Sequence, residues 1–193
     1  MHLVERVKAI LRRPQSEWPV IAREPGDPTD LFTGYVAILA LVPAIAGFIG
    51  VSIVGVRVGG GSVARLSVIS GLFSAIFGYL LTFVVVYLIG VLINVLAPSF
   101  GGRRGFEKAL RLAVYSFTPY WLAGVFMLVP AGRALAVLGL YGGYLTWVGL
   151  PFVMGVPRQR ALLMAIAIVA CAVALALVVG GLQATIFALR RGA

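Results

Sequence analysis

The chain has 193 residues, 61% of them apolar and only 11% charged, with a mean hydropathy of +1.05. Soluble domains carry about 25% charged residues, so a water-facing surface over most of this chain is excluded and one compact transmembrane domain is the economical reading. The net charge of +10 would suggest nucleic acid in a soluble protein, but no aromatic-basic module interrupts the apolar runs, so the cations are read as loop residues facing anionic lipid and cytoplasm, with no nucleic-acid partner.

Residues 1–30 read as a cytoplasmic amphipathic segment ahead of a transmembrane domain at 31–190. No apolar run of the roughly 7–15 residues of a signal core occurs in this segment, so the first hydrophobic stretch is expected to stay as a span. Leu3, Val4, Val7, Ile10 and Leu11 fall at helical spacing, flanked by Arg6, Lys8, Arg12 and Arg13. Pro14 ends that helix. Two placements fit: in the headgroup layer with the basic side chains snorkelling, or packed on the protein's own cytoplasmic face. Arg12 and Arg13 are candidate lipid-headgroup contacts, and Trp18 is a candidate interfacial anchor. Five of the six acids precede Leu31, and Asp30 is placed to cap the first span.

Five spans are expected. The first covers residues 31–54, with Pro43 near its middle. Residues 56–65 form a loop with Gly59-Gly60-Gly61-Ser62 at its tip. The second span runs from 66 or 70 to 97; Ser70, Ser74 and Gly78 recur every four residues and make a helix-packing face. Asn94 lies toward its end, and Pro98 closes it. Residues 101–114 form a second amphipathic basic helix, in which Arg103 and Arg104 are further headgroup candidates. The third span, 113–129, is short and divided at Pro119. A tight turn at 130–133 places Arg133 in water. The fourth span, 134–154, carries Gly139 and Gly143 as a GxxxG packing pair. The fifth, 161–189, has no internal charge, and its Cys171, the single cysteine, is read as a small buried apolar residue.

With five spans, eleven of the sixteen Lys and Arg residues fall on the side of the amino terminus. The positive-inside rule then puts the amino terminus in the cytoplasm and the carboxyl terminus outside.

Little reactive chemistry is encoded. His2 is the single histidine, so no histidine metal cluster and no histidine-based triad can form within the chain. HExxH, GxSxG and CxxC are absent, and no acid or base lies within an expected span, where pumps keep theirs. Neither an enzyme nor a cofactor is expected. What remains is a neutral polar set. Asn94, Tyr115, Thr118 and Tyr144 are candidates for a polar intramembrane cluster around the broken third span, since discontinuous helices expose backbone groups to a cavity. The competing role for the same residues is hydrogen bonding between helices.

Tyr115-Ser116-Phe117-Thr118-Pro119, Leu128-Val129-Pro130, Leu140-Tyr141-Gly142-Gly143-Tyr144, Gly149-Leu150-Pro151 and Val156-Pro157, in that order and spacing, resemble the central pattern of the Yip (Ypt-interacting protein) domain family. Pro14-Gln15-Ser16-Glu17-Trp18 with Ile21 resembles the opening of its bacterial members. Asp30-Leu31-Phe32 resembles the acidic-Leu-aromatic start of its first span, although Gly34 is shifted and the following proline is absent. The resemblance implies a cytosolic amino terminus and an all-α, five-span membrane fold. Eukaryotic members are implicated in vesicle traffic and Rab-type GTPase contacts; the bacterial type implies a fold without a settled activity. The expected function is a membrane-organising or adaptor role in a bacterial inner membrane, through membrane lipids, a protein partner or a second copy of the chain. The alternative is a small channel or transporter.

Overall fold

The computed structural model describes residues 3–24, 27–57, 63–128 and 139–191. Helices α1 (Leu3–Arg12) and α2 (Pro14–Arg23) form a short hairpin, because Pro14 cannot continue α1 but suits the first turn of α2. A long helical unit, Pro28–Val54, follows. It comprises α3 (Pro28–Leu31), a π-helical turn at Phe32–Val36, α4 (Ala37–Phe48) with Pro43 inside it, and a second π turn at Ile49–Val54. A two-residue antiparallel pair, β1 (Val56–Arg57) with β2 (Val63–Ala64), leads to α5 (Val68–Leu96), which ends in a 3₁₀ turn at Ala97–Phe100. Then come α6 (Phe106–Ser116), α7 (Thr118–Ala123) with a 3₁₀ extension at Gly124–Leu128, α8 (Tyr141–Val153) and α9 (Arg158–Arg191).

Among the described residues, three helices are long and apolar enough to cross a membrane: Pro28–Val54, Val68–Phe100 and Arg158–Gly181. They match the first, second and fifth expected spans. Their surfaces are oily: Ile69 is 80% exposed and Leu177 72%, an apolar coat that only lipid can solvate. Cys171 lies on this coat of α9, exposed rather than buried as expected, because this outer stretch of α9 packs on little else.

The expected third and fourth spans are not continuous helices of spanning length among the described residues. The third breaks at Phe117 between α6 and α7; Pro119, in the first turn of α7, has no N–H to carry the hydrogen-bond ladder through. The fourth is represented by α8, 13 residues long. The turn at 130–133 with Arg133, and the glycine tip at 59–62, lie outside the described residues. The cap of the first span also differs from expectation. The helix starts three residues earlier, at Pro28, so Asp27 rather than Asp30 caps it, its Oδ1 accepting the Thr29 N–H at 2.8 Å. That hydrogen bond holds the Asp27 carboxyl below the usual carboxylate range.

The helices approach through glycine. α5 packs on α4 and α6, and α8 on α2, α6 and α9. A Cβ at Gly50 would lie 2.1 Å from the Met127 carbonyl oxygen, one at Gly90 2.8 Å from Leu110 Cδ1, and one at Gly124 2.5 Å from Pro43 Cβ. Of the packing residues expected from spacing, Gly139 would meet Tyr120 Cα at 3.2 Å and Gly143 Val169 Cγ2 at 3.0 Å. Ser70 instead completes the start of α5: its N–H and its hydroxyl both bond the Ser67 hydroxyl. Ser74 and Gly78 line a cavity described below.

These distances separate two classes of glycine. Gly124→Ala should lower stability in detergent by about 1–3 kcal/mol, because the methyl group meets Pro43 ring and backbone atoms that cannot step aside. Gly34→Ala, with nothing within 4 Å, should be neutral or stabilising by up to about 1 kcal/mol. Thermal unfolding of the two variants side by side checks the contrast.

Candidate functional site

The amphipathic hairpin is seated on the protein. Ile10, Trp18 and Ile21 are fully buried and Arg6 is 5% exposed, so of the two placements for α1 the structure has the one on the protein's own surface. Trp18 is not an interfacial anchor. Its indole occupies the space left by the missing side chain of Gly149, where a Cβ would come within 2.7 Å of Cε2, and it meets Tyr115 edge-on at 6.4 Å between ring centres. Burial in that slot removes more apolar area from water than a headgroup position would.

Arg6 is the polar centre of this seat. Its guanidinium donates to both Glu17 and Glu24, and its Cζ stands 5.7 Å from the Tyr115 ring centre. Burial works against the charged form, but the hydrogen bond to Glu24, with the surrounding charges, outweighs it and holds the Arg6 pKa above the ordinary arginine value. Arg111 of α6 donates to the Glu24 carbonyl. Glu17 and Glu24 are thus structural partners of the hairpin. Opposite charges on two amphipathic helices joined at a proline hinted at the Arg6–Glu17 pair. Arg111 and Glu24, 87 positions apart, left no such trace.

The candidate polar cluster divides into three places. Tyr115 and Thr118 come together through Tyr35, which the sequence reading missed: its hydroxyl shares a 2.8 Å hydrogen bond with Thr118 Oγ1, and its ring meets Tyr115 at 4.9 Å and Trp121 at 6.3 Å. Asn94 lies apart, its Oδ1 accepting the Gly105 N–H at 2.8 Å. Tyr144 is elsewhere again, between Tyr141 at 5.2 Å and Trp147 at 6.0 Å. Tyr115, Thr118 and Asn94 thus tie one element to another, whereas both ring contacts of Tyr144 stay within α8.

A cavity of about 800 Å³ opens between α4, α5, the α6–α7 break, α8 and α9. Its walls are mostly apolar, with Pro43, Gly47, Ala75 and Val169 among them. The hydroxyl-bearing wall residues are Ser74, Tyr79, Thr82, Ser116, Tyr120 and Thr146. Thr82, Thr146 and Tyr79 satisfy themselves on the backbone carbonyls of Gly78, Gly142 and Ala37. Ser116 Oγ is buried and without a hydrogen-bond partner. Asn94, Tyr115, Thr118 and Tyr144 are not among the wall residues. Among the described residues the cavity wall carries no charged side chain, so that wall can hold an apolar body but offers no counter-charge to an ion.

The headgroup candidates lie outside the long apolar helices: Arg12, Arg13, Arg103 and Arg104 are all exposed.

Two substitutions test these assignments. Arg6→Ala strands Glu17, whose side chain is 12% exposed. The loss of about 3 kcal/mol expected when one partner of a buried pair is removed should speed amide exchange in Pro14–Arg23 by roughly a hundredfold. Asn94→Ala should destabilise by about 1 kcal/mol through the lost acceptor for Gly105, whereas Asn94→Asp, which keeps it, should cost less; unfolding midpoints decide.

Comparison with known proteins agrees with this architecture. The family model for the Yip1 domain matches residues 8–180. The chain is 29% identical over 163 residues to the inner membrane protein YohC of Escherichia coli (strain K12), covering 82% of this chain and 84% of that relative. It is equally similar to the protein of the same name from Escherichia coli O6:H1 (strain CFT073). No solved structure matches. With glycine-packed apolar helices matched over nearly their whole described length, the chain is an integral membrane protein that belongs to the Yip1 domain family.

Proposed function

We propose that the protein is a membrane-organising or adaptor protein of a bacterial inner membrane, acting through a basic cytoplasmic face on lipid headgroups or a protein partner, and not an enzyme. One observation carries this reading. Charge is absent from residues 31–54, 68–100 and 161–181, while Arg12, Arg13, Arg103 and Arg104 are exposed outside them. Two of the hairpin's three acids, Glu17 and Glu24, are engaged by Arg6, which leaves Glu5 as its one exposed acid without a described ion pair. The location is supported by the name of the Escherichia coli relative. No cofactor and no nucleic acid enter this role; self-association is compatible with it.

Five crossings, with a cytoplasmic amino terminus and a periplasmic carboxyl terminus, belong to the same proposal, with α6–α7 and α8 as the interrupted third and fourth. The charge asymmetry of the loops supports it. A reporter inserted at Arg133 and one fused at Ala193 should both read periplasmic. Arg133 reading cytoplasmic with Ala193 periplasmic would leave three crossings; Ala193 reading cytoplasmic would overturn either the span count or the orientation.

The cavity favours a second reading, a small transporter for an apolar solute. Reconstituted into liposomes, the protein should show no ion or solute flux above empty vesicles under the first reading. Saturable flux abolished by filling the cavity with Gly143→Leu would replace it with the second.

A further inference from the structure

The loops at 101–105 and 154–157 close the same end of the bundle, and they are built as one piece. The second long apolar helix ends at Phe100 and the last begins at Arg158, so this double loop stands where two long helices leave the hydrocarbon. Gly101, at φ +83°, turns the chain beneath Pro157, and a Cβ there would lie 3.4 Å from Pro157 Cδ and 3.7 Å from Arg160 Nη1. Gly102 has no room for a side chain: a Cβ would sit 2.7 Å from Val156 Cγ2 and 2.9 Å from the Met154 carbonyl oxygen. Three backbone donors fix the first loop. Gly102 N–H bonds the Ala97 carbonyl and Arg103 N–H the Met154 carbonyl, both at 2.8 Å, and Gly105 N–H bonds Asn94 Oδ1. Gly155, at φ +68°, turns the second loop.

This rigid platform carries Arg103, Arg104, Lys108, Arg158 and Arg160, all exposed. None of the five forms an ion pair among the described residues. Glu107 is the single acidic side chain after residue 100. Cations separated by about fifty positions in sequence are thus gathered at the end of the bundle where two long apolar helices stop, without an ion pair among the described residues; helices that cross a bilayer bring such an end to its headgroup layer. Arginine is suited to that ligand because its planar fork meets phosphate oxygens two at a time.

We propose that the joined loops form a binding site for the phosphate of an anionic phospholipid headgroup. The inference rests on the basic-face reading above and sharpens it: the lipid contact lies at the double loop and includes Arg158 and Arg160, with Arg12 and Arg13 secondary. Pre-ordering by the glycine turns and the Asn94 strut lets the arginines bind without first being gathered, which favours residence of a headgroup over diffuse attraction.

The test uses the full chain reconstituted in phosphatidylcholine vesicles, comparing the association of spin-labelled phosphatidylglycerol with that of spin-labelled phosphatidylcholine. The wild type should prefer the anionic lipid. The combined variant R103A/R104A/R158A/R160A should lose that preference by about tenfold or more, as expected for removing several cations from the lipid surface, while R12A/R13A keeps most of it. The lysine set R103K/R104K/R158K/R160K, which preserves charge, controls for folding and should retain a clear preference. Preference unchanged in the alanine set, or lost equally in the lysine set, overturns the site. Loss confined to R12A/R13A overturns the site but preserves the basic-face reading; a wild type without preference removes both. Inorganic phosphate at millimolar concentration should not displace the lipid; if it does, the ligand is free phosphate and the lipid assignment fails.

Discussion

Close approach of backbones without intervening side chains is what this fold depends on. Helices in lipid gain nothing by hiding apolar surface from one another, so they hold together by fitting and by hydrogen bonding. Here the fit is made at Gly50 against Met127, Gly90 against Leu110, Gly124 against Pro43 and Gly142 against the Ser116 carbonyl. The interrupted segment 106–128 takes part in every one of these contacts, supplying the opposing surface to Gly50, Gly90 and Gly142 and the glycine itself at Gly124, so the break at Phe117 and these close approaches are parts of one arrangement. A straight helix in that place would present its residues along a different line.

The amino-terminal hairpin obeys the rules of water. It has an apolar stripe, a buried indole and a guanidinium satisfied by two carboxylates, as a small soluble domain would. The two regimes meet at Tyr115, which carries Arg6 near its face and Trp18 at its edge on one side and Tyr35 on the other. From there Tyr35 passes the contact to Thr118 at the start of α7. A continuous chain of contacts thus runs from a charged residue of the hairpin to the break in the membrane-facing segment.

The sequence disclosed the long spans because hydropathy is additive along a helix, and a run such as 68–100 leaves no alternative. It disclosed Arg103 and Arg104 as exposed cations because they stand in a glycine-flanked run, Gly101-Gly102-Arg103-Arg104-Gly105, between two apolar segments. The fate of Trp18 was not legible, since an aromatic residue beside charges looks the same whether it meets headgroups or a glycine slot 131 positions away. For the same reason the spacing of Gly139 and Gly143 drew attention as a packing pair while Gly90 and Gly50 did not, and Gly149 entered only through the family resemblance: a motif along one helix says nothing of what stands opposite. Asn94 looked like an intramembrane polar group because its place in the run is apolar, yet its partner is the Gly105 amide just past the helix end.

Length itself has a consequence for the bilayer around this protein. The helix Val68–Phe100 has 33 residues and is about 50 Å long, against a hydrocarbon layer of roughly 30 Å. A surplus of that size is absorbed by leaning or by swelling the surrounding leaflets. Acyl chains beside this helix would therefore either meet it at a slant or be drawn out along it.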